Sequence, residues 1–253
     1  MITSNHDEAC YLVGGVVEQM FSGLASVSIT YRYVSRAIDV SFHQIAFEEA
    51  ESFAALAARP EFADIFAGHQ AEIRDQSYRT RVGKCVYDEL QSVKRRAASS
   101  ALVFAHSIFE SSLVDCLAIS FHAEPKDWLD LVGSKKVVIS ELTAIGIAGI
   151  CSKAIAEHID GLQSQSVLKK LDTFFQVTRP PNNHRRPKEY AYDRERIAAL
   201  DKSRHTAAHC DPLEYDPSFL DQDIGYFRMT LLYLLGILVD KYGVRHKARP
   251  IVA

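Results

Sequence analysis

The sequence lacks the cysteine pattern of a disulfide-stabilised protein. Its 253 residues include five cysteines, an odd number, and no two of them form a CxxC pair. Secreted disulfide scaffolds usually carry an even, closely spaced set, because each cysteine must pair. The pattern therefore favours a protein of the reducing cytoplasm. The five positions are Cys10, Cys85, Cys116, Cys151 and Cys210.

Long apolar runs and an excess of basic charge are also missing. No uninterrupted apolar stretch reaches the roughly 18 residues of a membrane span, and the N-terminus has no basic-then-apolar signal peptide. The formal net charge is −3, unlike that of a polybasic nucleic-acid coat protein. We expect a cytoplasmic protein without a membrane partner, in which any contact with nucleic acid comes from a local patch.

Common nucleotide-binding and hydrolase motifs are absent as well. The sequence contains no GxSxG, no Walker A loop and no GxGxxG, so those catalytic classes find no support. Apolar residues make up 47% of the chain and charged residues 24%, as in ordinary globular proteins. Most apolar positions repeat at helical spacing, which predicts a mainly α-helical fold.

The N-terminal third reads as an appendage, residues 1–75, in front of a helical domain, residues 76–253. Helical spacing covers 8–22 and 36–58. Between them, residues 26–34 (SVSITYRYV) alternate apolar and polar side chains with the period of a strand. We therefore predict a short strand at this position.

The helical domain begins with a long helical pattern that ends near Phe121, with Gly83 as its weak point. Within it His106 and Glu110 are one turn apart and can pair. Two interpretations are open for this pair. It is either a hydrogen-bonded pair inside a bundle, or Glu110 helps to position the helix that carries Arg204 by reaching that arginine.

The stretch LDKSRHTAAHCDPLEY, residues 200–215, carries the chemistry. Asp193 is a plausible N-cap for its helix, and Pro212 predicts that the helix ends near His209 or Cys210. On an ideal helix Arg204 lies roughly 7.5 Å along the axis from His209 and is rotated from it by roughly 140°. The two side chains converge on one ligand only if the helix end unwinds or a second copy completes the site.

A guanidinium beside an imidazole suits chemistry at a phosphodiester. Arginine forks onto phosphate oxygens, and histidine exchanges protons near neutral pH. No metal is needed if the substrate's own 2′-hydroxyl displaces the leaving group, which restricts the substrate to RNA. In that reaction His209 moves protons and Arg204 stabilises the charge that grows on the phosphoryl oxygens.

The motif Arg204-His205-x-x-x-His209 resembles the signature of the HEPN superfamily. A looser likeness covers residues 76 to 242: a long helix with an internal glutamate, then the motif helix and a last apolar helix. The resemblance implies an antiparallel helical bundle and a metal-independent endoribonuclease without a cofactor. It gives Arg204 and His209 catalytic roles and His205 the supporting polar position.

The resemblance also implies partners and a biological role. Family members commonly dimerise so that two motifs face one composite cleft, and many are bacterial toxins or anti-phage factors. The chain is thus expected to be a homodimer that acts on RNA and is held in check by an antitoxin or another regulatory protein. The proline-rich loop before the motif helix is expected to track the RNA backbone through Arg179, Arg185, Arg186 and Lys188.

Two other functions remain open at this point. His205 and His209, with Cys210 and Asp211 next to them, form acceptable zinc chemistry, but the glutamate of an HExxH motif is replaced by Thr206. Alternatively the chain is a HEPN-like domain without nuclease activity that serves binding or oligomerisation.

Overall fold

A computed structural model of the chain describes residues 5–68, 75–132, 139–180, 192–209 and 214–247. These residues are mainly helical and include no β-strand, so the predicted all-α class is confirmed. A π-helical segment, Gln19–Gly23, joins the first two helices. The helices in chain order are α1 (His6–Glu18), α2 (Leu24–Ala57), α3 (Ala63–Phe66), α4 (Gln76–Ala123), α5 (Leu129–Val132), α6 (Ile139–Leu162), α7 (Val167–Thr178), α8 (Arg194–His209) and α9 (Leu220–Tyr242).

Capping side chains explain where several helices begin and end. Ser166 accepts a hydrogen bond from the Lys169 amide at the start of α7. Asp216 accepts one from the Ser218 amide ahead of α9, which ends at Gly243 in the left-handed conformation. Each of these three positions satisfies backbone groups that a helix end leaves unpaired.

The long helix α4 is the centre of the fold. It packs against α1, α2, α7, α8 and α9, and it continues through Gly83 without a break. The buried residues of α1 and early α2 belong to the same hydrophobic core as those of α4 and α9. The division into 1–75 and 76–253 stays a prediction, but the core is continuous across it.

The strand predicted for residues 26–34 is wrong, because these residues lie in α2. The alternating pattern would place Ile29, Tyr31 and Tyr33 on one face. Instead Tyr31 is 8% exposed, whereas Ile29 and Tyr33 are 65% and 78% exposed. Leu24, Ser28 and Tyr31 are all buried, and their spacings of four and three form one side of a helix. Packing against α4 outweighs the strand preference of the β-branched and aromatic residues.

Two helical stretches, His6–Val40 and Thr80–Ala123, are long and apolar enough to cross a membrane by length and composition. This is weak evidence, because a buried core helix meets the same criterion. Half of the apolar window in the second stretch is buried within the protein. The cytoplasmic location therefore stays a prediction.

Candidate functional site

Hydrogen bonds at Asp193 fix the start of the motif helix α8. The Asp193 carboxylate accepts hydrogen bonds from the Glu195 and Arg196 amides. The Tyr226 hydroxyl on α9 accepts from the Asp193 amide and donates to its carbonyl. The structure describes α8 as far as His209. Residues 210–213 lie outside the described residues, so the end of the helix near His209 or Cys210 stays a prediction.

Arg204 and His209 lie on different faces of α8. Ile197 and Leu200 are buried on the side that packs against α4, and Arg204 lies on this side with its side chain 30% exposed. His205 and His209 are both exposed, and their ring centroids are 5.0 Å apart. The helix thus turns the arginine inward and the two histidines outward.

A chain of polar contacts anchors Arg204. One terminal nitrogen of its guanidinium lies 3.3 Å from Asp201 Oδ1. The same oxygen lies 3.1 Å from Nε2 of His106 on α4. Among the described residues Arg204 Nε is buried without a hydrogen-bond partner, so most donors of this guanidinium are not engaged within the described chain.

Glu110 pairs with Lys170 instead of reaching Arg204. Lys170 Nζ, on α7, forms an ion pair with Glu110 Oε1 and donates to the Gln163 carbonyl at 2.9 Å. The other carboxylate oxygen of Glu110 lies 3.9 Å from Nδ1 of His106. Among the described residues Glu110 is linked to Arg204 only indirectly, through His106 and Asp201. The 3.9 Å between His106 and Glu110 is longer than a hydrogen bond, so neither the hydrogen-bonded pair nor the direct contact with Arg204 is observed.

Burial keeps His106 uncharged. Its side chain is 2% exposed, and its ring packs edge-on against Phe227 of α9, with centroids 5.8 Å apart. Burial and then the charge of Arg204 lower the pKa of His106, against the opposing influence of Asp201 and Glu110. With a neutral His106, the carboxylates of Glu110 and Asp201 balance the cations of Lys170 and Arg204. The neutral ring donates from Nε2 to Asp201, because a carboxylate can only accept.

The predicted RNA-binding loop can be followed only at its first residue. Arg179 caps α7 in the left-handed conformation and pairs with Asp130 at 2.7 Å. Lys241, near the C-terminal end of α9, donates a hydrogen bond to the carbonyl of Val177, two residues before Arg179. Arg179 therefore lies near that end of α9. Arg185, Arg186 and Lys188 lie outside the described residues.

A cleft of about 560 Å³ runs along α8. Lys202 and Thr206 line it from α8, and Tyr215, Asp216 and Phe219 line it from the segment that leads into α9. Thr206 is one helical turn from His209. The cleft therefore lies along the part of α8 that includes Thr206, one turn before the exposed His209.

The sequence pattern missed Asp201 and Lys170. Asp201 is one turn before Arg204, a spacing that allows a helical ion pair, so a local signal existed. Lys170 reads as one of many charged residues on an amphipathic helix, and only tertiary packing buries it. Neither position stands out without the fold.

The described residues contain no group of three or more histidine, cysteine, aspartate or glutamate side chains that could hold a metal ion. Cys210 and Asp211, the proposed neighbours of the His205 and His209 pair, lie outside the described residues. No family model, curated protein or solved structure matches this chain significantly. The HEPN resemblance thus stays a prediction drawn from the motif and its context.

Proposed function

We propose that this chain is a metal-independent endoribonuclease of HEPN type, with Arg204 and His209 as its catalytic residues. One observation carries the proposal: the last turns of α8 combine an arginine that Asp201 anchors and whose side chain is 30% exposed with two exposed histidines. Fixed positive charge and a mobile proton carrier are what cleavage at a phosphodiester requires.

In the proposed reaction His209 takes the proton of the 2′-hydroxyl while the 2′-oxygen bonds to phosphorus. The bond from phosphorus to the 5′-oxygen breaks, and the proton passes to that oxygen. The products are a 2′,3′-cyclic phosphate and a 5′-hydroxyl. Arg204 offsets the charge on the phosphoryl oxygens, and His205 supports the site as a polar neighbour.

Because Arg204 and His209 occupy different faces of α8, we propose that a second copy completes the site. In such a homodimer, Arg204 of one copy and His209 of the partner can reach the same phosphate. The proposed biological role, a toxin or anti-phage effector restrained by a partner protein, follows from the resemblance alone.

The test is cleavage of a mixed cellular RNA pool in EDTA by the purified chain and by His209→Ala and Arg204→Ala. We expect metal-free cleavage that falls about 100-fold or more in each variant. His6→Ala and Arg194→Ala, which remove an exposed histidine and an exposed arginine, serve as matched controls and should cleave normally. Arg204→Lys should recover little activity, because an ammonium lacks the bidentate fork.

Cleavage that survives either Arg204→Ala or His209→Ala would refute the assignment. Cleavage that EDTA abolishes would instead favour a metal enzyme. If the purified chain does not cleave RNA at all, the non-catalytic binding module gains support. That reading has its own observation, since Asp201 already engages Arg204 as an internal ion pair. RNA binding without cleavage would then be measured directly.

A further inference from the structure

The buried polar cluster behind Arg204 extends well beyond the ion pair of Arg204 with Asp201. It joins three helices through His106 and Glu110 on α4, Lys170 on α7 and Asp201 on α8. Lys170 is completely buried. A buried charge without a partner is costly, and a satisfied network fixes one arrangement of the helices that contribute to it.

Asp201 is the branch point of this cluster. Its Oδ1 accepts from His106 on one side and from Arg204 on the other. Among the described residues it is the only carboxylate paired with Arg204. The orientation of the guanidinium therefore depends on where Asp201 is held, and His106 holds it.

His106 in turn has little freedom to move. Phe227 packs against its ring from α9, and Phe227 itself stacks on Phe109 with ring centroids 4.8 Å apart. The ring is thus clamped between the core and Asp201. The core therefore fixes His106, His106 fixes Asp201, and Asp201 fixes Arg204.

We propose that Asp201 and His106 are positioning residues that aim the Arg204 guanidinium at the RNA phosphate without touching the RNA themselves. This proposal rests on the proposed function for its catalytic part. Its geometric part, that Asp201 fixes Arg204, holds for the folded protein with or without RNA. The two parts can therefore be tested separately.

The first experiment is arginine-labelled NMR of the full chain, with Arg204 assigned by its loss in Arg204→Lys. A guanidinium held by a carboxylate rotates slowly and shows separate signals for its two terminal nitrogens. Asp201→Asn, which keeps the shape but removes the charge, should merge these signals. Asp172→Asn is the matched control, because Asp172 pairs with the exposed Arg194 on the same helix. It should leave the Arg204 signals unchanged.

The second experiment is cleavage kinetics. Asp201→Asn should lower kcat by about 10- to 100-fold, the loss expected when a reacting group is misplaced by about 1 Å. KM should stay nearly constant, because Arg204 acts in the transition state. His106→Gln, which keeps a donor near the Nε2 position, should retain more kcat than His106→Phe. Asp201→Glu, which keeps the charge, should also retain more than Asp201→Asn.

If the Arg204 signals in Asp201→Asn match those of the unaltered chain, the positioning proposal is wrong. It is equally wrong if the chain cleaves RNA and Asp201→Asn cleaves at the same rate. Should Asp201→Asn fail to fold, the comparison of His106→Gln with His106→Phe decides by the same signals. Merged signals in Asp201→Asn together with an unaltered chain that does not cleave RNA would overturn the proposed function and leave the positioning of Arg204 intact.

Discussion

The two faces of α8 differ in how much of the molecule determines them. On the inward face Arg204 belongs to a network that reaches α4 and α7 through Asp201, His106, Glu110 and Lys170. On the outward face His205 and His209 are exposed, and their rings lie 5.0 Å apart. One helix therefore carries an anchored arginine on one face and two exposed histidines on another.

The difference suggests a division of labour. A group that stabilises charge in a transition state works best when it does not have to reorganise during the reaction. A group that moves protons must reach the substrate and remain open to exchange. The network side should therefore respond strongly to substitution in stability, whereas the exposed side should respond mainly in activity.

The largest expected effect on stability is from Lys170→Met. It leaves Glu110 without its cation beside a buried histidine. Breaking a fully buried pair costs about 3–5 kcal/mol, and we expect a smaller loss here because the Glu110 side chain is 33% exposed. The measurement is the free energy of unfolding in urea. Lys169→Met, which changes an exposed neighbour on the same helix, should cost little. The double variant Lys170→Met with Glu110→Gln should recover part of the loss; a loss as large as in Lys170→Met alone would contradict the pairing.

Substitutions of the two motif residues should differ in how much they lower the free energy of unfolding, and both losses should be smaller than that of Lys170→Met. Arg204→Ala removes a partner from half-buried Asp201 and should lower the free energy of unfolding by about 1–3 kcal/mol. His209→Ala changes an exposed side chain and should stay within about 0.5 kcal/mol. Thermal and urea unfolding of both variants would measure this. Equal losses would show that the two faces do not differ in this way.

The pH dependence of stability should carry the signature of His106. Its pKa is lowered in the folded chain by burial and by Arg204, against Asp201 and Glu110, while Phe227 shields it from α9. The unfolded chain therefore binds this proton at higher pH. Stability should be full above about pH 6.5 and fall as the pH drops below it, by at most about 1.4 kcal/mol per pH unit for one group.

His106→Gln should flatten this pH slope. His122 also has a pKa lowered by burial, so His122→Gln is the matched comparison and should remove a separate part of the slope. Urea unfolding at several pH values between about 5 and 8 would measure the slope in both variants. This range brackets the ordinary histidine pKa of about 6.5. An unchanged slope in His106→Gln would show that His106 is not held neutral.

The smallest effect concerns the cleft beside the exposed face. If RNA passes His209, Lys202→Ala in the cleft should weaken RNA binding slightly and reduce the salt dependence of the affinity by about one ion. Titration of a short single-stranded RNA at several salt concentrations would measure this. Arg179→Ala, near the far end of α9, should leave the salt dependence unchanged if the RNA follows the cleft, and should reduce it if the RNA follows the proline-rich loop.

The sequence predicted the parts of the fold that local chemistry decides. Helical spacing indicated the all-α class, and the capping side chain of Asp193 marked the start of α8. The end of α8 predicted from Pro212 stays a prediction, because residues 210–213 lie outside the described residues. The prediction from sequence failed at residues 26–34. Apolar and polar side chains do alternate there, but the segment packs against the helix α4. An alternating sequence does not decide which residues are buried. The contact with α4 decides it.

For the candidate site, the sequence by itself determined which residues share α8 and their spacing, because these depend on neighbours within a few positions. Only the tertiary structure decided that Glu110 pairs with Lys170 and that Asp201 links His106 to Arg204. The Glu110–Lys170 and His106–Asp201 contacts join residues 60 and 95 positions apart. Burial makes them form, since in the interior each charged or polar group must find its partner within the protein.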